Sequence, residues 1–208
     1  TTILGDAGLK NLCVEVNSLG CKECRDAYKR ELSSYYRKQV KNICVDCRER
    51  LKTNPLRVLD CKNPKCAPIK EAAPESVAYL CGECKKHFKE FMEYLDEMGI
   101  SYRLNSALVR GLDYYSRTVF EIIDLDTPLE EGAAPLALGG GGRYDYLARY
   151  LGSKKDIPAV GGSIGVDRVL LSPSHTRQNP RIVKKPEMFF IQLGFDAKLR
   201  SLQITEML

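Results

Sequence analysis

The stretch YSRTVFEII at residues 115–123 decides the fold class, because it alternates polar residues with β-branched or aromatic ones as a half-buried strand does. A shorter strand pattern, PLAL at 135–138, follows a predicted loop of acidic and small residues, which favours antiparallel pairing of the two. Upstream, LCVEVN at 12–17 also alternates, and it ends at SLG, residues 18–20. The strand patterns therefore flank a long segment of different character.

The segment between the strands has the periodicity of helices. Apolar and aromatic residues recur every three or four positions over 25–40, which predicts an amphipathic helix with one buried face. The fold class is therefore α+β, with a helical domain inserted between two strand regions. A second predicted helix ends at Gly99 and buries Phe88, Phe91, Met92, Leu95 and Met98.

Nine cysteines are many for a chain with no export signal, and all but Cys13 form closely spaced pairs. Two thiolates separated by two to four residues can reach one tetrahedral zinc ion while a second pair completes the site. Disulfides, which a reducing compartment disfavours, and sites that bind no metal are the alternatives. Spacing leaves open which pairs share an ion and whether His87 replaces one thiolate. The candidate zinc ligands are Cys21, Cys24, Cys44, Cys47, Cys61, Cys66, Cys81 and Cys84.

Positive charge is concentrated in the inserted segment. The formal net charge of the chain is +5, but residues 21–70 contain 14 Lys and Arg against 6 Asp and Glu. This excess either binds RNA or forms an ordinary solvated helical surface, and charge alone does not separate the two. The sequence has no apolar stretch of membrane-spanning length and no signal-peptide pattern, so we expect a cytoplasmic protein without a membrane partner.

Two glycine-rich motifs occupy the C-terminal half. GGGGRYD at 139–145 lets the backbone approach a ligand closely, but it lacks the G-x-G-x-x-G spacing and the βαβ unit of a dinucleotide site. GGSIG at 161–165 matches the hydrolase pattern G-x-S-x-G, yet the two histidines, His87 and His175, do not supply the order Ser, acid, His. We instead predict a glycine strand that leads into a helix at 166–171.

Three motifs together resemble those of histidyl-tRNA synthetases, which are class II aminoacyl-tRNA synthetases. They are LVRGLDYY at 108–115, GGGRYD at 140–145 and GSIGVDR at 162–168, and their order and spacing match the two histidine-specific motifs and motif 3. NPLRVLD at 54–60 is similar to the insertion domain of bacterial members. The resemblance covers nearly the whole chain. It implies part of the class II antiparallel sheet, interrupted by a helical, Cys-rich zinc domain.

The resemblance also implies roles for individual residues. Arg110 would bridge the histidine carboxylate and the α-phosphate of ATP, and Arg168 would bind the γ-phosphate. Tyrosines would line the pocket for the imidazole ring. The implied ligands are histidine, ATP with Mg²⁺, and tRNA(His), beside Zn²⁺ in the insertion. The implied histidine site contains Arg110, Tyr114, Tyr115, Gly140, Gly141 and Tyr144, with Gly142 beside them, and the implied ATP site contains Arg110, Gly165 and Arg168.

A domain order follows from the same resemblance. Residues 1–19 correspond to a strand of the catalytic core, 20–102 to the insertion domain, 103–178 to the core with the motifs, and 179–208 to the start of the anticodon-binding domain. Motif 1, which builds the dimer interface, and motif 2 would precede residue 1. We therefore expect an inactive fragment of a homodimeric histidine–tRNA ligase. The alternatives are a non-catalytic, synthetase-like regulatory subunit of histidine biosynthesis and a zinc-dependent RNA-binding module.

Overall fold

A computed structural model describes residues 1–111, 113–127, 137–172 and 190–207. Its centre is a five-stranded sheet, and the predicted strands over 12–17 and 115–123 are confirmed to within one residue at each end. The strands are β1 (Leu12–Ser18), β2 (Tyr102–Leu104), β3 (Ser116–Asp124), β4 (Ala137–Arg143) and β5 (Val160–Ile164). Their order across the sheet is β2-β1-β3-β4-β5.

The sheet is mixed, which corrects the prediction of a purely antiparallel one. β1 pairs antiparallel with β3, and β4 pairs antiparallel with both β3 and β5. β1 and β2, however, run parallel, with Val14 opposite Tyr102. Parallel neighbours need a crossover connection, and the inserted helical segment provides it. The domain boundary predicted at residue 102 therefore falls on the first residue of a sheet strand.

The glycine run lies inside β4 because neighbouring backbones leave no room for side chains. A Cβ at Gly141 would lie 2.1 Å from the carbonyl oxygen of Gly161, and one at Gly142 would lie 2.5 Å from that of Thr118. Larger residues would push β3 and β5 away from β4. The strand predicted at 135–138 begins outside the described residues, and its last two residues belong to β4.

Helices fill the inserted segment and cover the sheet. They are α1 (Thr2–Asp6), α2 (Lys22–Lys38), α3 (Val45–Thr53), α4 (Ala67–Glu71), α5 (Gly82–Glu97), α6 (Leu147–Tyr150), α7 (Val166–Leu171) and α8 (Phe195–Met207). The helices predicted over 25–40, before Gly99 and at 166–171 are confirmed as α2, α5 and α7. None of the described helices has the length and apolar character needed to cross a membrane.

The sheet separates two apolar layers. Val14 and Ile122 face the layer that contains α5, whereas Val119 faces the layer that contains α2. The second layer is built around Tyr28 and Tyr36, each 1% exposed. It also includes apolar residues of the 108–115 motif. The inserted segment therefore shares one core with the motif-bearing face of the sheet.

The segment assigned above to the start of the anticodon-binding domain contains the helix α8. The ring of Phe195, at the start of α8, lies 5.6 Å from that of Tyr94 on α5. Residues 179–189 of that segment, like His175, lie outside the described residues. Residues 190–193 form neither helix nor strand.

Candidate functional site

Two adjoining cavities lie on the sheet, the first between the sheet and the inserted segment, and together we name them the cleft. The first has a volume of about 330 Å³ and the second about 320 Å³, and Glu121 and Arg168 line both. Arg110 and Gly165 line the second cavity. The cleft presents both signs of charge, which suits a ligand with anionic and cationic groups. The charged residues of the first cavity are Glu15, Asp60, Lys62, Lys70, Glu121 and Arg168.

Arg110 is placed in the cleft by three strands. Its Nη1 donates to Oε1 of Glu121 on β3 at 2.5 Å. A Cβ at Gly140 of β4 would lie 2.7 Å from the same nitrogen, so glycine is what leaves room for the guanidinium. Asn17 of β1 fixes the preceding segment, because its Nδ2 donates to the carbonyl oxygen of Leu108 at 3.0 Å. The cation is therefore held in a defined position before any ligand binds.

The three tyrosines predicted for the imidazole pocket pack as one group beside Arg110. The ring centres of Tyr114 and Tyr115 are 4.7 Å apart, and Tyr144 meets them edge-on at 5.4 and 6.0 Å. The guanidinium carbon of Arg110 lies 5.9 Å from the centre of the Tyr115 ring. Tyr144 is packed on β5, where a Cβ at Gly161 would lie 2.3 Å from its hydroxyl oxygen. The structure thus brings the predicted arginine and tyrosines together.

Two carboxylates that the sequence analysis missed face the cleft from neighbouring strands. Glu15 on β1 lies directly opposite Glu121 on β3. Glu15 is 8% exposed and accepts from Nε of Arg103 at 2.8 Å and from Nδ2 of Asn105 at 2.6 Å. Burial raises the pKa of Glu121 above its usual value, and Arg110 offsets only part of that effect. The sequence signal that could have indicated these two carboxylates is a glutamate in the middle of each apolar strand pattern.

Arg168, on α7, lines both cavities of the cleft. Gly165 caps the N-terminus of α7, and Nη1 of Arg168 donates to the carbonyl oxygen of Ala137 at 2.6 Å. The Arg168 side chain is exposed, so it can exchange that carbonyl for a ligand phosphate. Gly141 is a predicted site residue that lines neither cavity; the backbone of Gly161 fills the space where its side chain would be.

The eight paired cysteines assemble into two groups of four. We name them the Cys21 site (Cys21, Cys24, Cys81, Cys84) and the Cys44 site (Cys44, Cys47, Cys61, Cys66). Within each site all Sγ atoms lie within 4.8 Å of one another, and all nine cysteines of the chain are free of disulfides. The first pair thus joins the fourth and the second joins the third, a pairing that spacing left open.

His87 belongs to neither site, which answers the question of whether it replaces a thiolate. Its Nε2 lies 3.2 Å from Nη1 of Arg143 on β4. Burial, together with the positive charges of Arg117 and Arg143, lowers the pKa of His87. A neutral imidazole is therefore favoured against the sheet, away from the thiols.

Both thiol sites are built at the N-termini of helices. Cys21, Cys44 and Cys81 cap α2, α3 and α5 with extended backbone, and the second cysteine of each pair lies in the first turn. Backbone N–H groups also donate to sulfur, from Cys81 to Cys24 at 3.1 Å and from Cys44 to Cys66 at 3.2 Å. Helix N-termini and N–H donors both favour the thiolate over the thiol.

The sulfur spacing fits a tetrahedral metal complex. Zinc–sulfur bonds of about 2.3 Å place the sulfurs of a tetrahedron about 3.8 Å apart, nearly twice the length of a disulfide bond. The donor set of four sulfurs is that of a structural zinc site. The shortest recorded Sγ–Sγ distances are 3.5 Å for Cys21 and Cys24, 3.8 Å for Cys44 and Cys61, and 4.0 Å for Cys47 and Cys66.

The acidities of the thiols show why such a site needs a cation. A hydrogen bond from the backbone of Cys84 is the main cause that lowers the pKa of Cys81 to about 7. Burial raises the pKa of Cys84 in the same site to about 12. Four thiolates therefore do not coexist near neutral pH unless a bound metal ion neutralises them.

Comparison with known proteins identifies the class as aminoacyl-tRNA synthetase. The family model described as histidyl-tRNA synthetase matches residues 16–169. The chain is 40% identical over 201 residues to a histidine–tRNA ligase of Caldicellulosiruptor saccharolyticus and 39% identical over 206 residues to one of Halothermothrix orenii. These alignments cover 97% and 99% of the chain but 46% and 48% of the relatives. The chain belongs to the histidyl-tRNA synthetase family and spans about half the length of these curated relatives.

A solved structure supports the same assignment. The apo histidyl-tRNA synthetase of Staphylococcus aureus matches with a TM-score of 0.63 at 30% identity. The match covers 99% of this chain and 49% of that one. The five-stranded mixed sheet is therefore consistent with the class II synthetase fold.

Proposed function

We propose that the protein containing this chain is a histidine–tRNA ligase, which activates histidine with ATP and transfers it to tRNA(His). The observation that carries the proposal is the position of Arg110, held in a charged cleft between Glu121 and three tyrosines. A non-catalytic regulatory subunit is the second candidate. It is disfavoured because this chain retains the complete LVRGLDYY motif and the helical insertion.

Arg110 would supply the positive charge for activation. Adenylate formation joins a carboxylate oxygen of histidine to the α-phosphorus of ATP and releases pyrophosphate. A fixed guanidinium stabilises the charge that develops on the phosphoryl oxygens, and Glu121 keeps it oriented. Arg168, which is exposed and lines both cavities, would hold the terminal phosphate of ATP, which binds as its Mg²⁺ complex.

Tyrosines beside the cleft and carboxylates within it would select the amino acid. Tyr114, Tyr115 and Tyr144 form an aromatic group whose hydroxyls can exchange hydrogen bonds with imidazole nitrogens. Glu15 and Glu121 supply carboxylates that suit the ammonium group of the amino acid. The pocket thus offers complementary chemistry to each polar group of histidine.

We further propose that the Cys21 and Cys44 sites each bind one structural Zn²⁺. The spacing of the sulfurs, the helix N-termini and the N–H donors all support a four-thiolate complex. The positive excess over residues 21–70 supports contact between the insertion and the tRNA. A stand-alone RNA-binding module is disfavoured, because the insertion shares its apolar core with the sheet.

Pyrophosphate exchange tests the proposed activity in the chain extended to the length of its relatives. We expect Arg110→Ala to lower histidine-dependent exchange by about 10²-fold or more, as for the loss of other fixed transition-state donors. Arg30→Ala, an exposed arginine on α2, is the matched control and should retain activity. Near-normal exchange in folded Arg110→Ala would show that the catalytic assignment is wrong.

The 208-residue chain and the oligomeric state give two further tests. The chain alone should show no exchange, because the resemblance puts motifs 1 and 2 outside it, and measurable exchange would refute that expectation. Light scattering of the extended chain should give the mass of a homodimer. A monomer with full activity would contradict the proposed dimer.

A further inference from the structure

An arginine of the inserted segment holds the loop that carries Tyr114 and Tyr115, two of the three pocket tyrosines. Nη1 of Arg25 on α2 donates to the backbone carbonyl oxygens of Asp113 at 3.0 Å and of Tyr115 at 2.9 Å. These carbonyls flank Tyr114, so the two bonds fix the backbone on both sides of a tyrosine proposed to contact histidine. Asn54 adds a third tie, because its Nδ2 donates to Oδ1 of Asp113.

The environment of Arg25 is unusual for a charged side chain. Arg25 is 8% exposed, and its buried Nε has no partner among the described residues. It forms no ion pair with any carboxylate in the described part of the chain. Burying a guanidinium without a counter-charge is costly, so something must fix this side chain in place and offset its charge.

The Cys21 site precedes Arg25 on the same helix and can fix the start of that helix. Arg25 directly follows Cys24, and Cys21 caps the helix on which both residues lie. Two N–H to sulfur bonds, from Cys21 to Cys84 at 3.2 Å and from Cys81 to Cys24 at 3.1 Å, tie the start of α2 to the start of α5. Zinc with four thiolates would carry a net charge of −2, opposite in sign to the guanidinium on the same helix.

We infer that Arg25 is a positioning residue for the histidine pocket, and that metal in the Cys21 site fixes it against the loop at residues 113–115. The inference rests on the proposed function for its meaning in catalysis. Its structural part does not, because the contacts of Arg25 can be measured without any activity. A metal site in the insertion thereby acts on the amino-acid pocket through one side chain.

Hydrogen–deuterium exchange of the zinc-loaded 208-residue chain tests the structural part. Arg25→Met removes the two hydrogen bonds while keeping an apolar stem of similar length. It should accelerate exchange of a peptide covering residues 113–117 by about tenfold, with zinc content unchanged; that factor corresponds to about 1.4 kcal/mol of local stability. Arg25→Lys restores a donor and should recover part of the protection. Arg30→Met, exposed on the same helix, is the control and should leave the peptide unchanged.

Chelation tests the link to the metal. Removing zinc from the wild-type chain should accelerate hydrogen–deuterium exchange at 113–117 by at least the same factor. In zinc-free samples Arg25→Met should exchange no faster than the wild type at this peptide, because loss of the metal has already freed the same two bonds. Full additivity of the two effects would overturn the link, and unchanged protection at 113–117 in folded Arg25→Met would overturn the positioning role. The positioning role would also be overturned if Arg25→Met accelerated hydrogen–deuterium exchange uniformly along the chain and Arg25→Lys did not reverse this.

Kinetics in the chain extended to the length of its relatives tests the consequence for catalysis. Arg25→Met should raise KM for histidine in pyrophosphate exchange about tenfold and leave KM for ATP within about twofold. An equal rise in both constants would overturn the assignment to the histidine pocket. If the extended chain showed no pyrophosphate exchange at all, the proposed function would fail. The hydrogen–deuterium exchange results on Arg25 would still stand.

Discussion

Serine substitutions can test how the cysteines are paired. The structure places Cys24 and Cys84 in the Cys21 site and Cys47 in the Cys44 site. Serine is close to cysteine in size, but its hydroxyl is a poor ligand for zinc. We expect about two zinc ions per wild-type chain, from four thiolates each, and about one after any one of these three substitutions.

Double substitutions separate the observed pairing from the one that follows chain order. Cys24→Ser with Cys84→Ser removes two ligands from one site, so about one zinc should remain. Cys24→Ser with Cys47→Ser removes one ligand from each site, so close to none should remain. If adjacent pairs in the sequence shared an ion, Cys24 would share with Cys47, and the two results would be exchanged.

Elemental mass analysis of the reduced, purified variants measures these ratios. Cys13→Ser is the matched control, because Cys13 lies buried on β1 outside both sites and its loss should leave two ions. Structural zinc binds zinc-finger peptides with a free energy of about 10–16 kcal/mol, which adds to their folding stability. Loss of an ion should therefore also lower the free energy of unfolding of this chain markedly. The pairing would be refuted if the Cys24/Cys84 double variant lost both ions and the Cys24/Cys47 double variant kept one. A wild-type chain with nine titratable thiols and no zinc would refute the metal itself.

Three further substitutions test other features of the structure. Gly140→Ala places a Cβ 2.7 Å from Nη1 of Arg110 and should lower the free energy of unfolding in urea by about 1–3 kcal/mol. Gly5→Ala in α1, where a Cβ would have nothing within 4 Å, is the control and should not lower it. Equal effects of the two substitutions would contradict the crowding at Gly140. Tyr28→Phe removes the donor to the carbonyl oxygen of Pro74 at 2.9 Å and should cost about 1–2 kcal/mol, whereas Tyr36→Phe, whose buried hydroxyl has no described partner, should be neutral or stabilising. Because the pKa of His87 is lowered in the folded state, stability is lost as the pH falls through the ordinary value of about 6.5, and thermal unfolding of His87→Gln should show a flatter pH dependence.

The strands with side-chain patterns were predictable, and so was the glycine strand before α7, which is β5. β2 and most of β4 were not. β1 and β3 carry alternation that any half-buried strand shows, and both were found from the sequence. β4 is rich in glycine, which has low strand propensity, and it is a strand because the backbones of β3 and β5 lie against it. β2 has only three residues, and its parallel pairing depends on a crossover that no local pattern records.

The same distinction applies to the cleft. Arg110 and the tyrosines could be predicted because they stand in a motif with a recognisable order. Glu15 could not, because a polar residue within an alternating strand usually faces water. Here the inserted segment covers that face, so Glu15 is 8% exposed and is paired with Arg103. Arg25 was missed for the same reason, since a basic helix residue beside exposed ones gives no sign that it turns inward.

The nested pairing of the cysteines has a consequence for stability that spacing could not show. The Cys44 site joins residues 22 apart at its ends, whereas the Cys21 site joins residues 63 apart, from the start of the insertion to the start of α5. Loop-closure entropy grows with the logarithm of loop length, so closing the longer loop constrains the unfolded chain by about 0.9 kcal/mol more. The Cys21 site also ties the start of the crossover between the parallel strands β1 and β2 to α5, the last helix of that crossover. Loss of metal from the Cys21 site should therefore destabilise the sheet and the insertion together, whereas loss from the Cys44 site should act mainly within the insertion.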